Sequence, residues 1–421
     1  MAYPSIVLVY LLFAVNKVLV LDNGLALSPP MGWMSWGYYM CGADCEKDPE
    51  KCLNEALILS VADTFSSEGY QEAGYEYIII DDCWSERYRD EHGQLVADRK
   101  RFPNGMGFIS EYLHNRGLKF GMYTNIAHIT CMQYPGSLDH FKLDADTFAG
   151  WGVDYLKVDG CFTGEDLLNT AYVDLGEKLK DTGRPIVYSC SWPYYIEFII
   201  KKEPNYTAVA ETCNMWRNYH DVYTNWTAVR GIVRHYENMY PILQLHHKPG
   251  QWNDPDMLVF GTNSLTIGQS RVQLSVYAML SAPLLLSCDM RHISPEEKEL
   301  LLNLDLIAVA QDLKGVMARP HALPNSITLW VKPHLPMKGD SYPSYSFLWV
   351  NLWRNEAAIS FVPGEYGLNC TDGYSVLDVF TRSFLNNVTL TDMISIEVPP
   401  EGKLFAVTIA SPMNNHHHHY H

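Results

Sequence analysis

Between Pro30 and about Gly315, short runs rich in β-formers alternate with stretches of helical period, and no long linker interrupts them. A strand, a helix and a further strand in succession make a parallel pair, because the helix carries the chain back to the starting edge. Candidate strands cover residues 31–36, 77–82, 118–123, 154–159, 185–190 and 208–212, with two more near Trp252 and over 283–286. Eight such units imply an α/β fold, a closed (β/α)8 TIM barrel. Helical stretches include 53–67, 106–115, 165–182 and 295–302. The last opens on Ser294-Pro295-Glu296-Glu297, a capping box with proline in its first turn. After Pro320 the rhythm changes to "SITLWVKP", "SYSFLWVNL", "AAISFVP", "SVLDVFTRS", "MISIEV" and "LFAVTIA". Short strands separated by turn residues predict an antiparallel β-sandwich, so the expected division is a barrel over 21–318 and a sandwich over 319–412.

The chain's 421 residues exceed one ordinary core, and a 47% hydrophobic, 19% charged composition is that of a globular protein. A net charge of -17 argues against nucleic acid as a partner. Residues 6–15, "IVLVYLLFAV", have the length of a signal-peptide core, so residues 1–20 are read as a leader cut before Leu21. No other segment has the ~20 apolar residues of a transmembrane helix. Sequons at Asn205, Asn225, Asn369 and Asn387 agree with a secretory route, and the ten cysteines then read mostly as disulfides. Residues 413–421, ending in "NNHHHHYH", are read as a disordered His-rich tail without a role.

Chemistry in a parallel barrel gathers where the strands end and the βα loops begin. The unusual residues stand at those places: Trp36, then Asp81, Asp82 and Trp84, then Tyr123, then Lys157 and Asp159, then Ser191. Lys157 and Asp159 are two residues apart and share one face of their strand, so the ammonium is expected to hold the aspartate ionised, as a nucleophile requires. The plainer alternative is a salt bridge inside the barrel, which costs desolvation for little net gain. "CNMWRNYHD" supplies a second carboxyl group, Asp221, four residues after Arg217. A nearby arginine favours the ionised form, whereas a general acid must carry a proton, so burial has to offset it. Asp81 and Asp82 lack the surrounding carboxylates or histidines of a metal site, so neither metal nor cofactor is expected. Both suit sugar hydroxyls instead, with Trp36 and Trp84 offering flat apolar faces. Asp254 and Asp256 in "QWNDPDML" suit either loop-fixing hydrogen bonds or contacts at the rim, and the former is expected.

Cys41, Cys83, Cys131, Cys161, Cys190 and Cys213 lie at or just beyond proposed strand ends. Neighbouring pairs Cys41–Cys83, Cys131–Cys161 and Cys190–Cys213 are natural, with Cys45–Cys52 as a small loop closure, although sequence alone leaves connectivity open. Cys288 and Cys370 remain over.

The motifs "LDNGLALSPPMGWMSW", "IDDCW", "KFGMY", "YLKVDGC", "SCSWP", "CNMWRN" and "WNDPDML" occur in order and at matching spacing. On them the chain resembles the lysosomal α-galactosidase and α-N-acetylgalactosaminidase group of glycoside hydrolase family 27. The resemblance implies a retaining exo-glycosidase acting on terminal α-galactosyl or α-N-acetylgalactosaminyl glycoconjugates, lysosomal or secreted, and homodimeric. It makes Asp159 the nucleophile and Asp221 the acid/base, with sugar contacts from Trp36, Asp81, Asp82, Tyr123, Lys157 and Arg217. Their carboxyl groups should then stand roughly 5–5.5 Å apart. Galactose-preferring members carry glutamate and leucine where this chain has Ser191 and Tyr194, and members that accept N-acetylgalactosamine carry serine and alanine. Serine leaves room for a 2-acetamido group while tyrosine takes up space, and the expectation is N-acetylgalactosaminidase activity, with α-galactosidase as the alternative. "GMYTNIAHITC" and "WGYYMC" depart from the family pattern at the rim. A catalytically silent, sugar-binding barrel is the rival of another class.

Overall fold

The computed structural model describes residues 21–339, 341–353, 356–398 and 407–412. The leader and the His-rich tail lie outside the described residues. Eight strands form one parallel sheet: β1 (Met31–Met34), β2 (Tyr77–Ile79), β3 (Lys119–Asn125), β4 (Tyr155–Asp159), β5 (Val187–Cys190), β6 (Met215–Arg217), β7 (Trp252–Asp254) and β8 (Leu284–Leu286). Their order is β8-β1-β2-β3-β4-β5-β6-β7, and the gap from the β7 side to β8 is closed by a parallel bridge between Leu258 and Leu286. The expected TIM barrel is thus formed. Its strands read as nearly continuous apolar runs because both faces are covered, one by the barrel interior and one by helices.

The helices on the outer ring include α1 (Glu55–Ser67), α2 (Gly105–His114), α3 (Phe141–Gly150), α4 (Glu165–Asp181), α5 (Tyr206–Thr212), α6 (Trp226–Leu243), α7 (Ile267–Met279) and α8 (Pro295–Leu301). Both arms of the capping box at Ser294 and Glu297 are made. One strand expectation is overturned: residues 208–212 are helical, and the sixth strand is Met215–Arg217. Asn205 explains the difference, since its side chain accepts the amide of Ala208 and starts a helix where alternating residues imitate a strand. A three-residue strand is too short to show a period of its own.

The C-terminal part pairs β9 (Arg319–Ala322), β10 (Ile327–Lys338), β11 (Tyr342–Asn351), β13 (Tyr374–Asp378), β14 (Phe384–Val388) and β16 (Val407–Pro412) in the antiparallel order β9-β10-β11-β16-β13-β14. A ribbon of β12 (Ala357–Phe361) and β15 (Ile394–Val398) covers one face. Side chains of β10 and β11 alternate: Leu329, Val331, Phe347 and Trp349 enter the core beneath the ribbon, whereas Trp330, Leu348 and Val350 join the barrel core. Helix α7 lies between barrel and sheet and is buried on nearly every side, so it lacks the polar face of a surface helix.

Candidate active site

At the C-terminal lip of the barrel a cavity of about 260 Å³ opens. Trp36, Asp81, Asp82, Tyr123, Lys157, Asp159, Ser191, Tyr194, Arg217 and Asp221 all line it, so every residue singled out for catalysis or sugar contact except Trp84 stands at one place. The Cys131–Cys161 disulfide, Tyr195 and Ile199 complete the wall. Trp84 does not take part: its ring is buried against Phe148 and Trp151, and its indole N–H donates to the carbonyl of Tyr123 at 2.9 Å.

Asp159 ends β4, half-buried. Its Oδ2 accepts from the phenol of Tyr123 at 2.8 Å and its Oδ1 from the phenol of Tyr195 at 2.8 Å. Burial first, then the Asp159 charge, raises the pKa of both phenols, so they remain donors. Lys157 does share the pocket-facing side of β4, but its Nζ is 2.7 Å from Asp81 Oδ2 rather than paired with Asp159. Burial would lower the pKa of this ammonium, yet Asp81, Asp159 and Asp256 together outweigh it and hold it above the usual lysine range. Asp82 accepts the amides of Cys83 and Met132 at 2.7 and 3.0 Å, and burial pushes its carboxyl up to about 6.

The opposite wall is built where "CNMWRN" meets "WNDPDML". Asn253 on β7 accepts from Trp216 Nε1 at 2.8 Å and from Asn218 Nδ2 at 2.9 Å, which fixes the residues on either side of Arg217. Arg217 donates to Asp221 Oδ1 at 3.1 Å and lies 3.0 Å from Asp256 Oδ1. Asp256 also accepts the amide of Val222 at 2.7 Å, so one buried carboxylate holds both the arginine and the loop bearing Asp221. Burial pushes Asp256 up to about 6 against the pull of Arg217. At Asp221 burial also acts upward, but Arg217 and Lys157 prevail and hold the carboxyl below its usual range. Its side chain is 50% exposed in the open cavity.

Ser191 is buried at the cavity wall beyond β5. The ring of Tyr194 stacks on Phe198 with centroids 5.6 Å apart, and its hydroxyl lies 3.4 Å from His220 Nδ1, beside Asp221. Sequence reasoning missed Tyr195, whose signal was slight: a second tyrosine in "SCSWPYY", brought onto Asp159 as a π-helical turn begins at Tyr195–Ile200.

Disulfides Cys41–Cys83 and Cys131–Cys161 tie loops after β1 and β2 and after β3 and β4, and Cys45–Cys52 closes a short loop. Cys190–Cys213 differs from expectation in place, since Cys213 precedes β6 and the bond anchors the end of α5 to β5. Cys288 and Cys370 are free and buried. Cys131, Asp159 and Cys161 cluster closely enough to suggest a metal site, but both sulfurs are spent in the disulfide and neither is a thiolate ligand. Asn205, Asn225, Asn369 and Asn387 are all exposed. Among the described residues no helix is long and apolar enough to cross a membrane.

Residues 28–312 match the sequence family described as Alpha galactosidase A (Melibiase_2). Alpha-N-acetylgalactosaminidase of Gallus gallus is 38% identical over 384 residues, 91% of this chain and 93% of that protein. Alpha-galactosidase A of Homo sapiens is 43% identical over 316 residues, 74% of this chain and 73% of that protein. Among solved structures, alpha-galactosidase I from Mortierella vinacea is similar with a TM-score of 0.78 at 26% identity, covering 92% of this chain and 98% of that one. With that likeness spanning barrel and sandwich alike, the chain belongs to the melibiase family of glycoside hydrolases, glycoside hydrolase family 27.

Proposed function

We propose that the protein is a retaining exo-glycosidase that removes terminal α-linked N-acetylgalactosamine from glycoconjugates. The observation that carries this reading is the placement of Asp159 and Asp221 on the walls of one small cavity, each held by its own set of partners. A cavity of about 260 Å³ lies below the usual range for drug-sized ligands, which suits one terminal sugar ring and not a stretch of chain.

In the first step an Asp159 oxygen attacks the anomeric carbon while Asp221 gives its proton to the departing oxygen, leaving a glycosyl ester on Asp159. In the second, Asp221 takes a proton from water, whose oxygen attacks the same carbon and frees Asp159. Asp81, Asp82 and Lys157 are placed for the ring hydroxyls, and Trp36 for the apolar face of the sugar. Arg217 also lines the cavity, beside Asp221.

N-acetylgalactosamine is favoured by Ser191, whose small side chain at the wall leaves room for an acetamido group. The bulk of Tyr194 favours galactose, but its ring leans on Phe198 and its hydroxyl is drawn toward His220, on the Asp221 side. Hydrolysis of nitrophenyl α-N-acetylgalactosaminide and α-galactoside compared side by side tests the choice, and absent turnover of the acetamido sugar reverses it. Asp159→Asn should abolish turnover of either glycoside while sugar binding persists in calorimetry. An unchanged rate would refute the nucleophile, and a wild type that binds sugar without hydrolysing it would make the barrel a lectin. The disulfides and exposed sequons support passage through the secretory pathway, with lysosomal delivery or secretion as its end. Glycosidase digestion of the mature protein would reveal the glycans. Family resemblance supports a homodimer, which sedimentation reads directly.

A further inference from the structure

Large apolar side chains stand exposed on the segments around the cavity, among them Met40, Met132, Phe162, Ile199 and Tyr223. Single exposed apolar residues are ordinary. These differ in where they stand. Met132 and Phe162 directly follow the two halves of the Cys131–Cys161 disulfide, which lines the cavity, Ile199 lines it too, and Tyr223 comes two residues after Asp221. Phe162 is 63% exposed and has a φ of +62°. A bulky L-residue avoids that region because its Cβ crowds the following carbonyl, and glycine would take the same turn without the conflict. Position 162 therefore carries a ring that buries little and strains its backbone, three residues beyond the carboxylate Asp159. Folding alone gives no reason to keep it, and strained positions of this kind cluster at ligand clamps.

We propose that Phe162 and Ile199, with Met132 and Tyr223 beside them, form an apolar collar that receives the aglycone and selects aryl or long alkyl groups on the departing oxygen over small or polar ones. The inference rests on the glycosidase reading and adds the class of leaving group. With the sugar held between Asp159 and Asp221 inside the cavity, the bond to be broken points outward, and whatever the oxygen carries must cross this rim. Contacts to a remote part of the substrate are a recognised source of rate, because their binding energy holds the reacting centre in place.

The test compares benzyl and methyl α-glycosides of the same sugar, whose alcohols leave with nearly equal acidity, so that a difference reports contact and not chemistry. In Phe162→Gly the ratio of kcat/KM for benzyl over methyl should fall about tenfold. Thermal stability should hold, since glycine accepts the backbone. Phe162→Asn, which also tolerates a positive φ, serves if the glycine variant fails to fold. A ratio within about twofold of wild type in an active variant overturns the collar alone. Release of neither N-acetylgalactosamine nor galactose from the benzyl glycosides by the wild type overturns the glycosidase reading, and the collar with it.

Discussion

Asp221 answers to opposing demands within a few ångströms. Burial favours its protonated form, but Arg217 at 3.1 Å and the more distant Lys157 favour the charged form and win in the open cavity. With Asp221 as the proposed acid, the free enzyme should therefore lose it at low pH, and kcat/KM, which reports groups of the free enzyme, should decline on its alkaline side already in the acidic range. Removing the guanidinium in Arg217→Gln raises the pKa of Asp221, so the alkaline limb should move to higher pH even though overall activity falls. A limb that stays in place would mean that another group controls it. A bound sugar displaces water from a carboxyl that is 50% exposed, which works in the direction a general acid needs. Tyr195 is the second residue-scale case. Tyr195→Phe keeps the ring but removes the 2.8 Å hydrogen bond to Asp159, and the loss of a bond to a charged group should lower kcat by roughly 10- to 100-fold. That Asp159 and Asp221 would share one lip was legible in sequence, because one carboxylate ends a strand and the other lies in the loop just after a later one. Their partners were not, since i, i+2 spacing pointed to Lys157 and Asp159 while the fold turned the ammonium to Asp81.

Loops after β3 and β4 frame Asp159, the proposed nucleophile, and the Cys131–Cys161 bond joins them across 30 residues of sequence. Closing a loop of that length stabilises the fold by about 3–4 kcal/mol on the chain-entropy account. In the Cys131→Ser/Cys161→Ser pair the urea midpoint should fall accordingly. Activity at temperatures where the variant remains folded should fall as well, because the bond lines the cavity beside Asp159. Full activity in the folded variant would reduce the disulfide to a stabilising staple. Elements with strong local signals, such as the capped helix α8, could be read directly. The segment from Asn205 to Arg217 could not, because helix and strand competed over a few residues and the cap at Asn205 decided in favour of helix.

Barrel and sandwich meet around Lys332, which is wholly buried on the barrel side of β10. Its Nζ donates to Ser281 Oγ at 2.6 Å, to Ala278 O at 3.2 Å and to Val309 O at 2.5 Å, tying the sheet to the barrel. Burial pushes the ammonium down to about 7. An unfolded lysine titrates near 10.4, so between about 7 and 10 the unfolded chain binds the extra proton and stability rises with pH. Below that window both states are protonated and the cost of burial is felt in full. The melting temperature of the wild type relative to Lys332→Met should therefore increase from about pH 7 to about pH 9, and parallel curves would exclude a titrating lysine. Nothing in "LWVKP" announces this role, since a lysine after an apolar run reads as the end of a strand. By itself the sequence determined the barrel, the sandwich and most of the residues that line the cavity, because periodicity and strand-end position are local properties that the chain carries in order. Only the tertiary structure decided which carboxylate each cation serves, that Tyr195 reaches Asp159, that Trp84 belongs to the core, and that a strained phenylalanine stands at the rim. Those outcomes depend on approaches between residues far apart in the chain, and their spacing in sequence does not encode them.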